Sequence, residues 1–175
     1  MLEQFTAADE EIVAAQLGRV PRGVVGVAHR CPCGKPAVLA TEPRLPDGTP
    51  FPTTYYLTCP RAVAAVSRLE SAGRMAEMTE RLGSDAELAA GYRAAHRSYL
   101  ADRAAHGGGS DAAEIAAVSA GGMPDRVKCL HALVAHSLAK GPGVNPLGDE
   151  AVAEIKGFWQ PPCLPEFEHD HQETA

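Results

Sequence analysis

The chain has 175 residues, with 16 lysines and arginines against 22 aspartates and glutamates, so its formal net charge is −6. This length suffices for one domain with its own core and is short for two. An acidic chain of this kind is not expected to bind nucleic acid through a phosphate-neutralising surface. Hydrophobic residues make up 45% and aromatic residues only 5%. We therefore expect a thin core of alanine, valine and leucine, which a cross-link or a bound metal ion would help to stabilise.

The N-terminal residues are acidic and amphipathic, without the basic and apolar regions of a signal peptide. No run approaches the roughly eighteen consecutive apolar residues of a membrane-spanning helix. We therefore expect a cytoplasmic protein with no membrane span. Its five cysteines then indicate free thiols, metal ligands or a catalytic group before they indicate a disulfide framework.

The first half of the chain predicts one helix followed by a small sheet. A helix is expected over Ala7–Leu17, with Thr6 as N-cap and Gly18 as its end. Three short runs rich in β-branched and aromatic residues follow, GVVGVAHR, PAVLAT and TTYYLT. They predict an antiparallel meander, and Pro46-Asp47-Gly48 marks a turn between its second and third strands.

From residue 60 onward, apolar residues recur at helical spacing. Helices are predicted from Pro60 to Gly73 with a short continuation, from Ser84 as N-cap to Ala105, from Pro124 to Lys140, and over Gly148–Phe158. The expected fold class is α+β, a three-stranded antiparallel sheet packed against a bundle of four to five helices. We expect a single domain over residues 1–159, with a flexible insertion near 107–121 and a disordered tail at 160–175.

The cysteines suggest a metal centre. Cys31 and Cys33 lie in a Cys-Pro-Cys-Gly turn after the first strand, Cys59 ends the third strand, and Cys129 lies in the predicted fourth helix. In a meander, the start of strand two and the end of strand three can meet. Zinc binds four sulfur or nitrogen ligands in a tetrahedron, although the Cys-x-Cys spacing is tighter than the usual one. The expected ion is therefore zinc, with an iron–sulfur cluster as an alternative because Cys-Pro at 31 and 59 also suits cluster ligation.

The fourth ligand is left open by the sequence. On an ideal helix, only one of Cys129, His131 and His136 can face a single ion. Either the helix begins later than Pro124, or Cys129 is the ligand and the histidines have other roles. Cys129 can also be a simple core residue. Cys163 is expected to be an unattached thiol of the tail.

An enzyme is the main alternative to a structural metal site. Cys59 precedes a helix N-terminus, where the helix dipole favours a thiolate. Arg61 is close in sequence, and His131 or His136 could act as the base. A metal site with three protein ligands and one water is a second route to hydrolysis.

Several motifs occur together in a specific order. They are Arg30-Cys31-Pro32, Pro50-Phe51-Pro52-Thr53, Tyr56-Leu57-Thr58-Cys59-Pro60, Ser67-Arg68-Leu69-Glu70, Val127-Lys128-Cys129-Leu130-His131, Ala135-His136 and Asn145-Pro146. This combination resembles the uncharacterised, mainly actinobacterial family catalogued as domain of unknown function 501, over about residues 9–149. No activity is established for that family, but its genes often lie near those for a septum-formation initiator and an exopolyphosphatase. The resemblance points to Cys31, Cys59, Cys129, His131 and His136, whereas Cys33 is not a regular part of the pattern.

The sequence therefore predicts a structural zinc site formed by Cys31, Cys59 and Cys129. Its fourth ligand is expected to be His136, His131 or Cys33. With all four positions taken by the protein, such a site leaves none for a substrate. We expect a binding or scaffold module with a protein partner, linked through the resemblance to cell division or the envelope. The sequence identifies neither a reaction nor that partner.

Overall fold

A computed structural model describes residues 1–107, 112–160 and 163–164. Within these residues, six α-helices and a three-stranded antiparallel sheet form the predicted α+β fold. The elements are α1 (Ala7–Leu17), β1 (Val24–Arg30), β2 (Pro36–Thr41), β3 (Tyr55–Leu57), α2 (Pro60–Ser71), α3 (Arg74–Ser84), α4 (Ala86–His106), α5 (Leu130–Lys140) and α6 (Pro146–Glu154), with a short 3-10 helix at Ala113–Ile115. Parts of the predicted flexible insertion and disordered tail, at 108–111, 161–162 and 165–175, lie outside the described residues.

Helix α1 has the predicted limits because both of its ends carry local signals. The Thr6 hydroxyl accepts a hydrogen bond from the Asp9 N–H at 3.2 Å, and the Asp9 carboxylate accepts one from the Thr6 N–H at 3.1 Å. This reciprocal capping satisfies two backbone donors at the helix start. Gly18 ends the helix in the left-handed conformation, with φ 70°.

The sheet is the predicted meander, with strand order β1-β2-β3. Val27 of β1 pairs with Leu39 of β2, and Val38 of β2 pairs with Leu57 of β3. All residues of the central strand β2 are buried, because helices cover both of its faces. Leu39 packs with Val13 of α1 on one face, whereas Val38 belongs to the main core on the other.

Helix α5 lies at the centre of the molecule and contacts α2, α6 and all three strands. Leu130 and residues 132–137 are buried, so the helix is enclosed on most of its circumference. Helix α6 approaches it closely at Gly148, where an added Cβ would lie 2.4 Å from the Leu133 carbonyl oxygen. Glycine at this position is what allows the two helix backbones to pack together.

Helix α4 is fixed to the sheet by buried polar side chains. The Thr54 N–H donates to the Tyr99 hydroxyl at 2.7 Å, and both residues are buried. The buried Arg103 guanidinium donates to three backbone carbonyls, those of Pro52, Ile115 and Val118. Arg103 thus connects the loop before β3 to the segment that contains the 3-10 helix. No helix in the described part of the chain is long and apolar enough to cross a bilayer.

The helix predicted to open at Pro124 begins only at Leu130. Residues 121–125 form turns instead and residues 126–128 are irregular, and the Lys128 N–H donates to the Gly121 carbonyl at 2.7 Å. Cys129 is consequently the extended N-cap of α5, with φ −155° and ψ 110°, and not a residue of the helix interior.

Two other helix limits also differ from the prediction. Asp85, and not Ser84, caps α4, because its carboxylate accepts from the N–H groups of Glu87 and Leu88. The last helix, α6, covers Pro146–Glu154 where Gly148–Phe158 was predicted. Its N-cap is Asn145, whose side-chain oxygen accepts from the Gly148 N–H at 3.0 Å. Both corrections follow from capping side chains that reach the second or third helical N–H.

Candidate functional site

The turn between β1 and β2 places two cysteines side by side. The Cys31 N–H donates to the Lys35 carbonyl at 3.0 Å, and the Gly34 N–H donates to the Cys31 carbonyl at 2.8 Å. Gly34 adopts φ 82°, which a glycine accepts without strain. This tight turn brings Cys31 and Cys33 together, and they are joined by a disulfide in the structure.

Cys163 reaches this turn from the end of the described chain. Its sulfur lies 3.9 Å from that of Cys33 and 3.6 Å from Gln16 Nε2, and the residue is 9% exposed. Ligand atoms of Cys31, Cys33 and Cys163 all lie within 4.8 Å of one another, so this group could hold a metal ion once the Cys31–Cys33 disulfide is reduced.

Cys59, the N-cap of α2, lies beside the same group and is fully buried. Burial raises the pKa of its thiol, and contact with the Cys163 side chain raises it further. We refer to Cys31, Cys33, Cys59 and Cys163 as the cysteine cluster. A buried thiol with a raised pKa has neither the access nor the charge of a nucleophile, so this environment disfavours the Cys59 thiolate enzyme considered from the sequence.

Cys163 is a free thiol, as expected, but it is buried beside the Cys33 sulfur and is not a loose residue of the tail. Its sequence neighbours carried a signal for this position. Phe158 and Leu164 are apolar residues on either side of it, and both pack against the main core. Apolar residues in a segment of prolines and acidic residues indicate docking of that segment.

Cys129 and His131 form a second group with Glu70 of α2. The three ligand atoms again lie within 4.8 Å of one another, and this group can also hold a metal ion. Glu70 Oε1 lies 3.1 Å from His131 Nδ1 and accepts a hydrogen bond from the Leu130 N–H at 2.7 Å. The late start of α5 makes this possible, because Cys129 is extended and escapes the helical spacing that would separate it from His131. We call these three residues the Cys129 group.

The charges within the Cys129 group favour an ion pair. Hydrogen bonding to Cys129, together with the charge of Glu70, raises the pKa of His131 to about 9 although partial burial opposes this. Burial alone would raise the pKa of Cys129, but His131 and the Ala132 N–H at the helix N-terminus lower it below its usual value. Both shifts favour a thiolate beside an imidazolium.

The Cys129 group borders an open cleft of about 490 Å³ between α1, β3, α2 and α5. Its walls are mainly apolar, and Cys129 and His131 are among the few lining residues with reactive or ionisable side chains. The other lining side chains include Leu17, Tyr55, Tyr56, Leu57, Pro60, Val63 and Ala64. The volume is in the range of clefts that bind small molecules.

His136 lies in neither group. Its ring is fully buried, stacks on Tyr55 at 5.8 Å between centroids and meets Tyr99 edge-on at 5.1 Å. Asn145 Nδ2 lies 3.3 Å from Nδ1, and burial lowers the pKa of His136 to about 4. The ring is therefore a neutral member of the aromatic core.

The sequence-predicted ligands are thus divided in the described residues. Cys31 and Cys33 meet Cys163, with Cys59 beside them, whereas Cys129 and His131 meet Glu70. Glu70 was not predicted as a ligand, because its position beside Cys129 is set by the packing of α2 against α5.

Comparison with known proteins places the chain in a family. The model of the family described as "Protein of unknown function (DUF501)" matches residues 27–153. The chain belongs to this family, as its motifs indicated. The matched range includes three members of the cysteine cluster and the whole Cys129 group, and it ends before Cys163. No curated protein and no solved structure matches the chain.

Proposed function

We propose that the chain is a binding module whose fold is stabilised by a structural zinc ion on the cysteine cluster. One distance carries this proposal. Two thiolates bound at about 2.3 Å to a tetrahedral zinc lie about 3.8 Å apart. The sulfurs of Cys33 and Cys163 are 3.9 Å apart, and the Cys31 sulfur lies within 4.8 Å of each of them. Cys59 lies beside Cys163 but outside the group whose ligand atoms are all within 4.8 Å of one another, so its sulfur would become the fourth ligand through a movement of its side chain on metal binding.

Zinc binding requires the reduced form of the cluster. Metal-ligating cysteines are thiolates, so an ion and the Cys31–Cys33 disulfide of the structure exclude one another. The zinc form therefore belongs to a reducing compartment, where disulfides of this kind are rare. This requirement agrees with the cytoplasmic location that we propose for the protein.

A structural role follows from the number of ligands. Four sulfurs fill the tetrahedron and leave no position for a water or substrate. The ion would connect the β1–β2 turn, the start of α2 and the segment that follows α6. These three parts of the chain contribute Cys31 and Cys33, Cys59, and Cys163 respectively.

Metal analysis of the reduced, anaerobically purified protein tests this proposal. We expect one zinc per chain, a colourless solution and a lower melting temperature after treatment with a strong chelator. Metal-free protein whose melting does not respond to zinc or chelator would overturn it. In a [4Fe–4S] cluster each cysteine binds a different iron, so the four sulfurs lie farther apart than around one ion. Brown protein that bleaches on reduction would establish that alternative.

We propose a protein partner, and its connection to cell division or the envelope is supported by the family resemblance alone. The net charge of −6 disfavours nucleic acid as that partner. Imaging of a fluorescent fusion in dividing cells tests the connection. Enrichment at the septum or envelope supports it, and a uniform distribution opposes it.

A further inference from the structure

We propose that the Cys129 group is a nucleophilic catalytic site that cleaves esters or thioesters of small apolar acyl groups. This inference does not depend on the zinc proposal, since it uses different cysteines. Three observations carry it: the geometry of Cys129, His131 and Glu70, the hydrogen bonds of the His131 ring, and the cleft that these residues border.

The ring of His131 is placed to carry a positive charge. Its Nε2 lies 3.3 Å from the Val63 carbonyl oxygen, which can only accept, and 3.3 Å from the Ser67 hydroxyl. Its Nδ1 faces Glu70 Oε1 at 3.1 Å. Both ring nitrogens therefore have acceptors, as an imidazolium requires. Glu70 from α2 is the charged side chain that faces both Cys129 and His131, and it holds the ring in place.

Cys129 is the nucleophile of this arrangement. It is half-buried at the N-terminus of α5, whose Ala132 N–H faces its sulfur. The Leu130 N–H is used by Glu70 and the Ala132 N–H by the Cys129 sulfur, whereas the His131 N–H has no partner within the helix. The His131 N–H is the donor available to an oxyanion formed beside the Cys129 sulfur.

The reaction follows from these groups. The Cys129 thiolate attacks the carbonyl carbon, the bond to the leaving group breaks, and His131 gives that group its proton. The products of this step are a thioester on Cys129 and a free alcohol or thiol. Water then adds to the thioester and gives one proton to His131. The carbon–sulfur bond breaks, which releases a carboxylic acid and restores the thiolate.

The cleft selects the substrate class. Its walls are formed by Leu17, Tyr56 and Leu57 among other apolar side chains, and its volume is about 490 Å³. Burial of each additional methylene favours binding by about 0.8 kcal/mol. Short apolar acyl chains therefore fit better than charged or large acyl groups.

Acylation by p-nitrophenyl acetate, butyrate and hexanoate tests the proposal. We expect a burst of p-nitrophenolate of one equivalent per chain, an acyl adduct mapped to Cys129 by mass spectrometry, and faster acylation by butyrate than by acetate. C129S should abolish the adduct, and H131Q should slow acylation by about 10²–10⁴-fold. The matched control H96Q changes a histidine that bonds Ser119 and should leave the rate unchanged.

Glu70 is a positioning residue, and its test is the pH profile. E70Q removes the charge that helps to keep His131 protonated, so the upper limb of the acylation profile should move to lower pH. Circular dichroism of each variant establishes that it is folded. A burst that persists in C129S, or an H131Q rate equal to that of H96Q, would overturn the proposal. So would a Cys129 that reacts only after chelator treatment, because that result identifies a metal ligand.

Discussion

The sulfurs of Cys33 and Cys163 lie 3.9 Å apart although 130 residues separate them in the chain. This contact joins the turn after β1 to the segment after α6, two parts of the chain that are far apart in sequence. A link of this length removes much of the conformational freedom of the unfolded chain. The contact therefore gives a metal ion at the cysteine cluster a direct effect on stability.

Cys163→Ser tests this effect. Removal of one of four ligands should reduce bound zinc to well below one per chain and lower the free energy of unfolding by about 2 kcal/mol, which is about 4–8 °C in Tm for a chain of this size. Zinc content and thermal melting measure both changes. The matched control is Cys129→Ser, which should keep its zinc. Equal zinc content in both variants would contradict the assignment of Cys163.

Gly148→Ala tests the close packing of α6 on α5. The added Cβ would lie 2.4 Å from the Leu133 carbonyl oxygen, and the helices must separate to admit it. We expect a loss of about 1–3 kcal/mol in urea unfolding. Gly83→Ala is the control, because nothing lies within 4 Å of its added Cβ in the exposed part of α3. That variant should gain up to about 1 kcal/mol from helix propensity.

His136→Phe tests the neutral histidine of the core. The pKa of His136 is about 4 in the folded state against the ordinary 6.5, so the unfolded chain takes up the proton first as pH falls. Stability from this group is fully present above pH 6.5 and is lost as pH falls through 4, by about 3 kcal/mol in total.

Urea unfolding between pH 7 and 4 measures this dependence. The phenylalanine variant should show a weaker decline than the parent, because it keeps the stacking on Tyr55 but has no proton to bind. The decline will not vanish, since burial also lowers the pKa of His29 and His106. An identical decline in parent and variant would contradict the assignment.

Asp9→Asn tests the link between α1 and the sheet. Both carboxylate oxygens of Asp9 accept from Arg30 of β1, at 2.8 and 3.0 Å, and the pKa of Asp9 is lowered to about 2 by this bond. We expect a loss of about 1–3 kcal/mol at neutral pH. Because the folded pKa lies below the ordinary 3.8, this contribution is present above pH 3.8 and is lost as pH falls through 2.

The control for this variant is Glu10→Gln, at the exposed neighbouring position. Urea unfolding at neutral pH should separate the two variants clearly. If both lose the same stability, the contribution comes from charge in the first turn of α1 and not from the Arg30 bond.

Elements bounded by local signals were predictable from the sequence. Thr6 and Gly18 limit α1, Pro60 opens α2, and α5 ends at Lys140, as expected. The start of α5 was not predictable, because it depends on Glu70, a residue of another helix that caps the Leu130 N–H. Local sequence around Pro124 carries no information about that contact.

The same distinction applies to the site. Cys31, Cys33 and Cys59 were identified as candidate ligands because the strands that bring them together are neighbours in the chain. Cys163 was missed because only the docking of the segment after α6 brings it to the sheet. The grouping of Cys129 with Glu70 follows from helix packing, which the periodicity of neither helix specifies.

X-ray absorption at the zinc edge tests the central claim most directly. For reduced protein containing one zinc per chain, we predict a first shell of four sulfurs at about 2.3 Å and no nitrogen or oxygen. The C129S and H131Q variants should give the same spectrum. A shell that contains nitrogen or oxygen, or one that changes in these variants, would contradict a zinc site formed by the cysteine cluster.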